Sequence, residues 1–264
     1  MTHPYLSGPG PRVLAHRGLV TDDAAAHGTV DNSFAAVAAA HAAGAVYVES
    51  DCHLTSDGVV VLFHDDDLAR VAGDPRRVRE VRAHELAEVM SDRGGLITLE
   101  QALETFPDVR FNLDVKAPDA AEPVGRLVAG DAHRVLLTSF SDERRLAALA
   151  AAEKAGAAHR PATSPGSGTI ARVLAALALR RRRAVARLLA DVDALQIPVR
   201  HRGIPVLSHR LLEAAHRAAV EVHVWTVNEP NEMRRLLDHG VDGLVTDRAD
   251  VALAVAAGPA RDAR

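Results

Sequence analysis

Short runs of apolar, β-branched residues alternate with longer amphipathic stretches through most of this chain. The short runs predict eight strands, at residues 12–15, 45–51, 109–115, 135–139, 157–160, 194–198, 221–226 and 243–246. The longer stretches predict helices between them, at residues 33–43, 99–105, 120–129, 142–155, 170–189, 207–219, 230–238 and 250–256. Eight strands separated by helices are typical of a closed parallel barrel, so we expect the α/β class and a (β/α)8 barrel.

One unit does not fit the simple repeat. Residues 57–95 separate the second strand from its helix and include an extra predicted strand at 59–63. We expect this segment to form a small insertion above the barrel. No stretch rich in Pro or Ser is long enough to act as a linker, so residues 1–264 are predicted to form a single domain with that insertion.

Composition narrows the classes of function. The 264 residues match the roughly 250 of one barrel domain. With 31 basic and 35 acidic residues the formal net charge is −4, which argues against a general nucleic-acid binder. Residues 1–11 hold no apolar stretch behind a basic start, and no window reaches the roughly 18 apolar residues of a membrane span. We therefore expect a cytoplasmic protein without stable membrane insertion, and the sequence leaves its oligomeric state open.

The most informative polar residues stand where the second predicted strand ends. Glu49 and Asp51 follow the apolar run 44–48 and, because strand side chains alternate, project from one face with Cα atoms roughly 6–7 Å apart. Two carboxylates so placed can bind one cation. They could instead be strand-end acids paired with arginines, although that interpretation leaves two acids on one buried face unexplained. Oxygen ligands suit Mg²⁺ or Ca²⁺, and the chain has no cysteine cluster that would favour zinc.

Residues of types used in catalysis and binding also stand at the ends of other predicted strands. His16 and Arg17 follow the first strand, and His64 follows the extra strand. Asp114 and Lys116 stand at the end of the third strand, and Trp225 at the end of the seventh. The C-terminal ends of parallel barrel strands meet at one face, so we expect these residues to converge. Asp114 and Lys116 could also be a simple ion pair. Trp225 could pack in the core or flank a substrate.

These segments together resemble a known family. Seven motifs, spread over nearly the whole chain, carry the resemblance: His16-Arg17-Gly18, Asp31-Asn32-Ser33, Val48-Glu49-x-Asp51-x-x-Leu54-Thr55-x-Asp57-Gly58, Val61-x-x-His64-Asp65, Asn112-Leu113-Asp114-Val115-Lys116, Thr138-Ser139-Phe140 and Val224-Trp225-Thr226-Val227-Asn228. In their order and spacing the chain resembles the glycerophosphodiester phosphodiesterases, which are TIM-barrel enzymes similar to phosphatidylinositol phospholipases C. The resemblance implies a metal-dependent hydrolase that cleaves glycerophosphodiesters into glycerol 3-phosphate and an alcohol.

The resemblance also implies roles for particular positions: Glu49, Asp51 and Asp114 as metal ligands, His16 and His64 as catalytic residues, and Arg17, Lys116 and Trp225 in substrate binding. Two positions depart from the family pattern. Many relatives carry Glu where this chain has Asp114, and Pro-Glu-Asn-Thr where it has Val-Asp-Asn-Ser at 30–33. These departures bear on whether the ion is Mg²⁺ or Ca²⁺ more than on the class of reaction.

The charges expected at such a site suit a phosphodiester. One divalent cation with Arg17 and Lys116 gives four positive charges against three carboxylates, which leaves +1 for a singly charged diester. One histidine could take a proton from the attacking oxygen and the other could give one to the leaving alkoxide, and the sequence does not say which. Two other functions stay open: a cyclising phospholipase acting on intact lipids, which the charged residues 66–95 argue against, and a non-catalytic barrel that binds a phosphate ligand.

Overall fold

The computed structural model describes residues 3–258 of the chain. Its strands are β1 (Arg12–His16), β2 (Tyr47–Leu54), β3 (Val60–Leu62), β4 (Asp67–Leu68), β5 (Asp74–Arg77), β6 (Arg110–Val115), β7 (Val135–Thr138), β8 (Ala162–Thr163), β9 (Ala194–Pro198), β10 (Arg200–His201), β11 (Ile204–Pro205), β12 (Glu221–Trp225) and β13 (Gly243–Thr246). Its α-helices are α1 (Asp22–Ala26), α2 (Phe34–Ala42), α3 (Ala69–Ala72), α4 (Ala83–Met90), α5 (Leu99–Thr105), α6 (Ala121–Leu127), α7 (Asp142–Lys154), α8 (Ser167–Ala178), α9 (Arg182–Leu188), α10 (His209–Arg217), α11 (Pro230–Asp238) and α12 (Ala249–Ala256). Short 3₁₀ helices cover Pro4–Leu6, Val78–Glu80 and Val128–Arg134.

Eight of these strands form the wall of a parallel barrel. In space they follow the order β8-β7-β6-β2-β1-β13-β12-β9. Within the described residues no ladder joins β8 to β9, but the backbone N–H of Asp193 donates to the carbonyl of Thr163 at 3.0 Å, and the N–H of Thr163 donates to Oδ2 of Asp193 at 2.8 Å. The barrel is therefore nearly closed, and the predicted (β/α)8 fold is confirmed. No helix in residues 3–258 is both long enough and apolar enough to cross a membrane.

Two predicted elements are wrong in detail. Residues 157–160 form a loop and not the fifth strand, which is the two-residue β8 between Pro161 and Pro165. Proline has no N–H to donate to a ladder, so only a short run can pair there. The helix predicted at 170–189 is two helices, α8 and α9, because Arg180 between them adopts a left-handed backbone with φ of 54°.

The N-terminal segment closes one end of the barrel. Tyr5 lies in the 3₁₀ helix that precedes β1 and packs in one buried cluster with Tyr47 and Val245 from the barrel strands. The carbonyl of Tyr5 accepts hydrogen bonds from the hydroxyl of Tyr47 at 3.0 Å and from Nη1 of Arg110 at 2.8 Å. These contacts fill the end where the strands begin. The candidate site lies at the opposite end, where the strands finish.

The segment between β2 and α5 carries a small core of its own. β3 pairs antiparallel with β2, and β4 and β5 form a two-stranded ribbon. Buried apolar side chains of these elements pack with those of α4 in a separate cluster: Val61, Phe63, Leu68, Val78, Val81, Leu86 and Met90. The backbone N–H groups of Phe34 and Ala35 donate to the carbonyls of Gly95 and Gly94, both at 2.9 Å, and so join this segment to the start of α2.

Helices α6 and α7 pack closely because the contact is made by small residues. A Cβ atom added to Gly125 would meet the carbonyl oxygen of Ala148 and would lie 2.7 Å from Cβ of Ala151. We expect Gly125→Ala to lower the free energy of unfolding by about 1–3 kcal/mol, as overpacking usually does, measured by urea denaturation. Gly130→Ala is the control, because a Cβ there meets nothing within 4 Å, and a loss of equal size in both variants would contradict this interpretation.

Candidate active site

The predicted acids lie on two neighbouring strands near the end of the barrel where these strands finish. In the parallel register of β2 and β6, Glu49 is opposite Asn112 and Asp51 is opposite Asp114. Residues two apart on a strand share a face, so these four side chains form one group, which we call the acid block. All four are buried, with exposed fractions of 8 % for Glu49, 2 % for Asp51, 1 % for Asn112 and 5 % for Asp114.

Two cations stand against the acid block. Nζ of Lys116 lies 2.8 Å from Oδ1 of Asp51 and 2.8 Å from Oδ2 of Asp114. Nε of Arg17 lies 3.2 Å from Oδ2 of Asp51. The backbone N–H of Arg17 donates to the carbonyl of Glu49 at 2.8 Å, which fixes the turn after β1 against β2. The structure thus brings the predicted substrate-binding cations and the predicted metal ligands together.

The acid block has oxygen atoms to spare. Glu49 Oε2, Asn112 Oδ1 and Asp114 Oδ1 are buried and accept no hydrogen bond from residues 3–258. Buried acceptors are rarely left without a partner. As the side chains stand, the described residues hold no cluster of three His, Cys, Asp or Glu around one point, and Nζ of Lys116 lies between Asp51 and Asp114. An all-oxygen set with unpartnered atoms fits a hard divalent cation, which would compete with Lys116 for the same carboxylates.

The pKa values of the block reflect its burial. Burial, reinforced by the charge of Asp51, raises the pKa of Glu49 from 4.5 to about 8. Burial also raises the pKa of Asp114. Burial alone would raise the pKa of Asp51 too, but the charges of Lys116 and Arg17 outweigh it and the pKa of Asp51 is lowered. Lys116 and Arg17 therefore do not stabilise all three carboxyl groups of the acid block in the ionised form. Further positive charge would favour ionisation of Glu49.

His16 is held by a carboxylate that comes from the last barrel strand. Its Nδ1 lies 2.6 Å from Oδ1 of Asp247, which follows β13 directly. Nδ2 of Asn228 donates to Oδ2 of Asp247 at 2.7 Å. Burial lowers the pKa of His16, but the hydrogen bond that its ring donates to Asp247 and the charge of Glu49 outweigh burial, and the pKa is raised. The second nitrogen, Nε2, lies 3.8 Å from Oε2 of Glu49 and so points toward the acid block.

His64 has a matching arrangement on the insertion side. Its Nδ1 lies 2.7 Å from Oδ1 of its neighbour Asp65. The carbonyl of His64 is 3.2 Å from Nε2 of His53, which is buried beneath it on β2. A carboxylate on Nδ1 fixes the tautomer and the ring orientation of a histidine. Both predicted catalytic histidines therefore present Nε2 as the nitrogen available to a bound molecule.

The histidines and the acid block line one cavity of about 550 Å³. Its other side, which we call the apolar wall, consists of Phe140, Pro165, Ile170, Ala171, Leu174 and Val206. Trp225 borders this wall with its ring centre 6.0 Å from that of Phe140, and it also packs against the cluster inside the barrel. Trp225 therefore packs in the core and also lines the cavity, and its contact with a substrate stays a prediction. Nζ of Lys116 lies 5.6 Å from the ring centre of Phe140, so the apolar wall begins beside one of the two cations predicted to bind substrate.

Comparison with known proteins agrees with the resemblance seen in the motifs. Residues 16–251 match the model of the Glycerophosphoryl diester phosphodiesterase family. The chain belongs to this family. It is 38 % identical over 94 % of its length to the probable glycerophosphodiester phosphodiesterase 2 of Mycobacterium tuberculosis, of which 91 % is covered.

Solved structures of phosphodiesterases share the fold. The glycerophosphodiester phosphodiesterase of Thermotoga maritima superposes with a TM-score of 0.70 at 21 % identity, covering 94 % of this chain and 100 % of the other. A phosphodiesterase of Oleispira antarctica, solved in complex with the product sn-glycerol-3-phosphate, gives a TM-score of 0.67 at 20 % identity and covers 93 % and 96 %. Both comparisons support the barrel found here.

Three polar residues at or near the site of this family member were given no role in the prediction from the sequence. Asp247 directly follows a barrel strand, and this position alone could have indicated that it belongs to the site. Asn112 shares the strand parity of Asp114, so it could also have been expected on the same face. Asp65 stands in a recognised motif, but its role depends on a side-chain orientation that spacing does not give.

Proposed function

We propose that the chain is a single barrel domain that hydrolyses glycerophosphodiesters to glycerol 3-phosphate and an alcohol, using one bound Mg²⁺ or Ca²⁺. The observation that carries the proposal is one cavity lined by the acid block and by His16 and His64, each with a carboxylate on Nδ1. The name of the Mycobacterium tuberculosis relative and the glycerol phosphate in the Oleispira antarctica structure support the same substrate class.

The residues that would hold the cation are Glu49, Asp51 and Asp114. The unpartnered oxygens of Glu49 and Asp114 support this assignment, and so does the unpartnered Oδ1 of Asn112 beside them. When bound, a divalent cation supplies Lewis-acid stabilisation of the negative charge that develops on the phosphoryl oxygens. Oxygen ligands are shared by Mg²⁺ and Ca²⁺, so the site is proposed for either ion.

Arg17 and Lys116 would bind the phosphate group. They come from different strand ends, each contacts one carboxylate oxygen of Asp51, and both line the cavity. As the nucleophile adds, charge grows on the phosphoryl oxygens, and fixed cations stabilise that charge more than they stabilise the diester. The two cations therefore contribute to binding and to the rate.

His16 and His64 would move the protons. One takes the proton of the attacking oxygen at its Nε2 while the other gives a proton to the leaving alkoxide. Asp247 and Asp65 keep the imidazole rings oriented, and Asp247 also favours the protonated form of His16. Because both rings have the same arrangement, either can be the acid while the other is the base. The attacking oxygen belongs to water or to the glycerol of the substrate.

The apolar wall favours a second candidate substrate, a glycerophosphodiester whose glycerol carries one acyl chain. Phe140 is 58 % exposed, an unusual position for a large apolar side chain unless something covers it. No acidic side chain is among the described residues that line this side, and Lys116 stands at its border, so a cationic headgroup is disfavoured there. A hydrocarbon chain would cover the wall without an unpaired charge.

An assay of purified protein tests the first candidate. With glycerophosphocholine and Mg²⁺ or Ca²⁺, we expect release of glycerol 3-phosphate, detected by a coupled dehydrogenase. Absence of turnover with every divalent cation supplied, in protein shown to be folded, would reject the proposed reaction. Product without glycerol 3-phosphate would reject the proposed bond cleavage.

The second candidate is tested with glycerophosphocholine that carries an eight-carbon acyl chain, kept below its aggregation concentration. Burial of a methylene group is worth about 0.8 kcal/mol. Burial of only part of the acyl chain against the apolar wall therefore predicts a kcat/KM roughly tenfold higher than for glycerophosphocholine without the chain. Leu174→Asn, on the apolar wall, should lower that ratio. Leu179→Asn is the control, because Leu179 is 62 % exposed at the end of α8 and does not line the cavity. A ratio near one in the parent protein would exclude the acyl-chain substrate and leave the first candidate standing.

A further inference from the structure

A continuous chain of ion pairs runs from His64 to Arg17 through one arginine of the insertion. Oδ1 of Asp65 lies 2.7 Å from Nδ1 of His64, and Oδ2 of Asp65 accepts from Nε of Arg70 at 2.5 Å. Nη2 of Arg70 donates to Oδ1 of Asp31 at 2.9 Å, and Oδ2 of Asp31 accepts from Nη1 of Arg17 at 2.9 Å. Each carboxylate uses one oxygen for Arg70 and the other for a residue of the site.

We infer that Arg70 is a positioning residue for the reaction proposed above. Through Asp65 it holds the ring of His64, and through Asp31 it holds the guanidinium of Arg17. One side chain thereby sets the distance between a proton-transfer group and a phosphate-binding group. The inference rests on the proposed function and adds to it a residue that itself contacts neither substrate nor metal ligand.

The geometry explains why an arginine stands there. Asp65 and Asp31 belong to separate segments, one after β3 and the other before α2, and each needs its own donor. A guanidinium presents Nε and Nη2 in a rigid fork, so it binds two carboxylates in fixed directions. The single ammonium of a lysine is a point charge on a flexible stem and does not impose those directions.

The same contacts are poorly suited to stabilising the fold. The side chain of Arg70 is 49 % exposed, and exposed ion pairs contribute little to stability. The insertion is joined to α2 by other bonds, from the N–H groups of Phe34 and Ala35 to the carbonyls of Gly95 and Gly94. Its own apolar cluster does not need Arg70. Loss of Arg70 should therefore leave the chain folded while the site loses its alignment.

Arg70→Gln and Arg70→Lys test the inference in the full chain with glycerophosphocholine. Both variants should lower kcat, because His64 loses its orientation, and raise KM, because Arg17 loses its anchor. We expect a combined loss in kcat/KM of at least roughly tenfold for each, consistent with the sensitivity of catalysis to small misplacements. Asp65→Asn should reproduce mainly the fall in kcat and Asp31→Asn mainly the rise in KM.

Arg76→Gln is the matched control. Arg76 is also in the insertion, its side chain is 48 % exposed, and it also pairs with two carboxylates, Asp74 and Glu85. Neither of these carboxylates contacts a residue of the site, so turnover should be unchanged. Thermal unfolding should show similar midpoints for Arg70→Gln and Arg76→Gln. An Arg70→Gln variant that matches the control in kcat and KM, or a lysine variant with full activity, would overturn the inference.

Two measurements on the protein without turnover separate this inference from the proposed function. The ¹⁵N shifts of the His64 ring should change in Arg70→Gln and stay unchanged in Arg76→Gln. The affinity for glycerol 3-phosphate, measured by calorimetry, should fall severalfold in the first variant alone. These results can hold even if glycerophosphocholine is not cleaved, and unchanged shifts together with unchanged affinity would reject the role of Arg70.

Discussion

Alanine in place of His16 or of His64 is expected to lower kcat on glycerophosphocholine by roughly 10² to 10⁴, the usual contribution of a general acid or base. Each ring lines the cavity and has its Nδ1 held by a carboxylate, so each presents Nε2 in a fixed direction. Removing the ring removes the proton acceptor or donor but leaves the acid block and its cations in place. Steady-state kinetics should therefore show a loss in kcat larger than the change in KM.

Controls separate this loss from damage to the fold. His27→Ala removes a histidine that directly follows α1 and has a side chain 76 % exposed, so the variant should turn over at the parent rate. Asp247→Asn keeps the ring of His16 but removes the charge that stabilises its protonated form, so its loss should be smaller than that of His16→Ala. The assignment is wrong if both alanine variants retain the parent kcat while their unfolding temperatures match that of the parent.

Much of this site could be predicted from the sequence because it depends on two simple rules. Strand alternation places Glu49 and Asp51 on one face, and the parallel barrel gathers the ends of its strands at one side. The register then puts Asp114 directly opposite Asp51, as convergence of the strand ends requires. Neither rule needs any knowledge of how distant side chains pack.

The remainder depends on contacts between segments far apart in the chain. Asp247 reaches His16 across 231 positions, and nothing in the spacing of either residue indicates the pair. The chain of ion pairs through Arg70 likewise requires that the insertion fold back beside the segment before α2. The wrong position predicted for the fifth strand has the same origin, since the two residues of β8, which lie between prolines, form a strand by pairing with β7.

The apolar wall shows why the proposed acyl-chain substrate could not be predicted from the sequence. In the sequence, the charged residues 66–95 argued against a cyclising phospholipase acting on intact lipids. The structure instead places apolar side chains around the cavity from α8 and from the segments after β7, β8 and β11, where each looked like ordinary helix or loop packing. Helical periodicity predicts that Ile170 and Leu174 share a face, but only the barrel decides whether that face meets a neighbour or a cavity.

Removing divalent cations with a chelator is expected to reduce turnover by at least roughly 10³, because a metal ion supplies several kcal/mol of charge stabilisation in a phosphoryl transition state. Restoring Mg²⁺ or Ca²⁺ should recover it. The reason lies in the acid block, where Glu49 and Asp114 have buried oxygens that accept no hydrogen bond from the described residues. The same cation should raise the unfolding temperature of the protein, since a ligand that binds only the folded state stabilises it.

Stability should also depend on pH in a direction set by Glu49. In the metal-free protein its pKa is raised from 4.5 to about 8 by burial and by the charge of Asp51. Between these pH values the folded chain holds a proton that the unfolded chain has lost, so the free energy of unfolding falls as pH rises through this window. The raised pKa of Asp114 acts in the same direction. A bound cation favours the carboxylates, so it should stabilise the protein more near pH 8 than near pH 5.

Thermal unfolding with chelator and with Ca²⁺, at each of those two pH values, checks this expectation. Glu49→Gln preserves the size of the side chain and removes its titration, so the fall in stability between the two pH values should be smaller and the stabilisation by Ca²⁺ should largely disappear. Glu88→Gln, at an exposed position on α4, should behave like the parent. A parent protein whose unfolding temperature and turnover are both indifferent to every divalent cation would show that Lys116, and not a metal ion, is the partner of these acids.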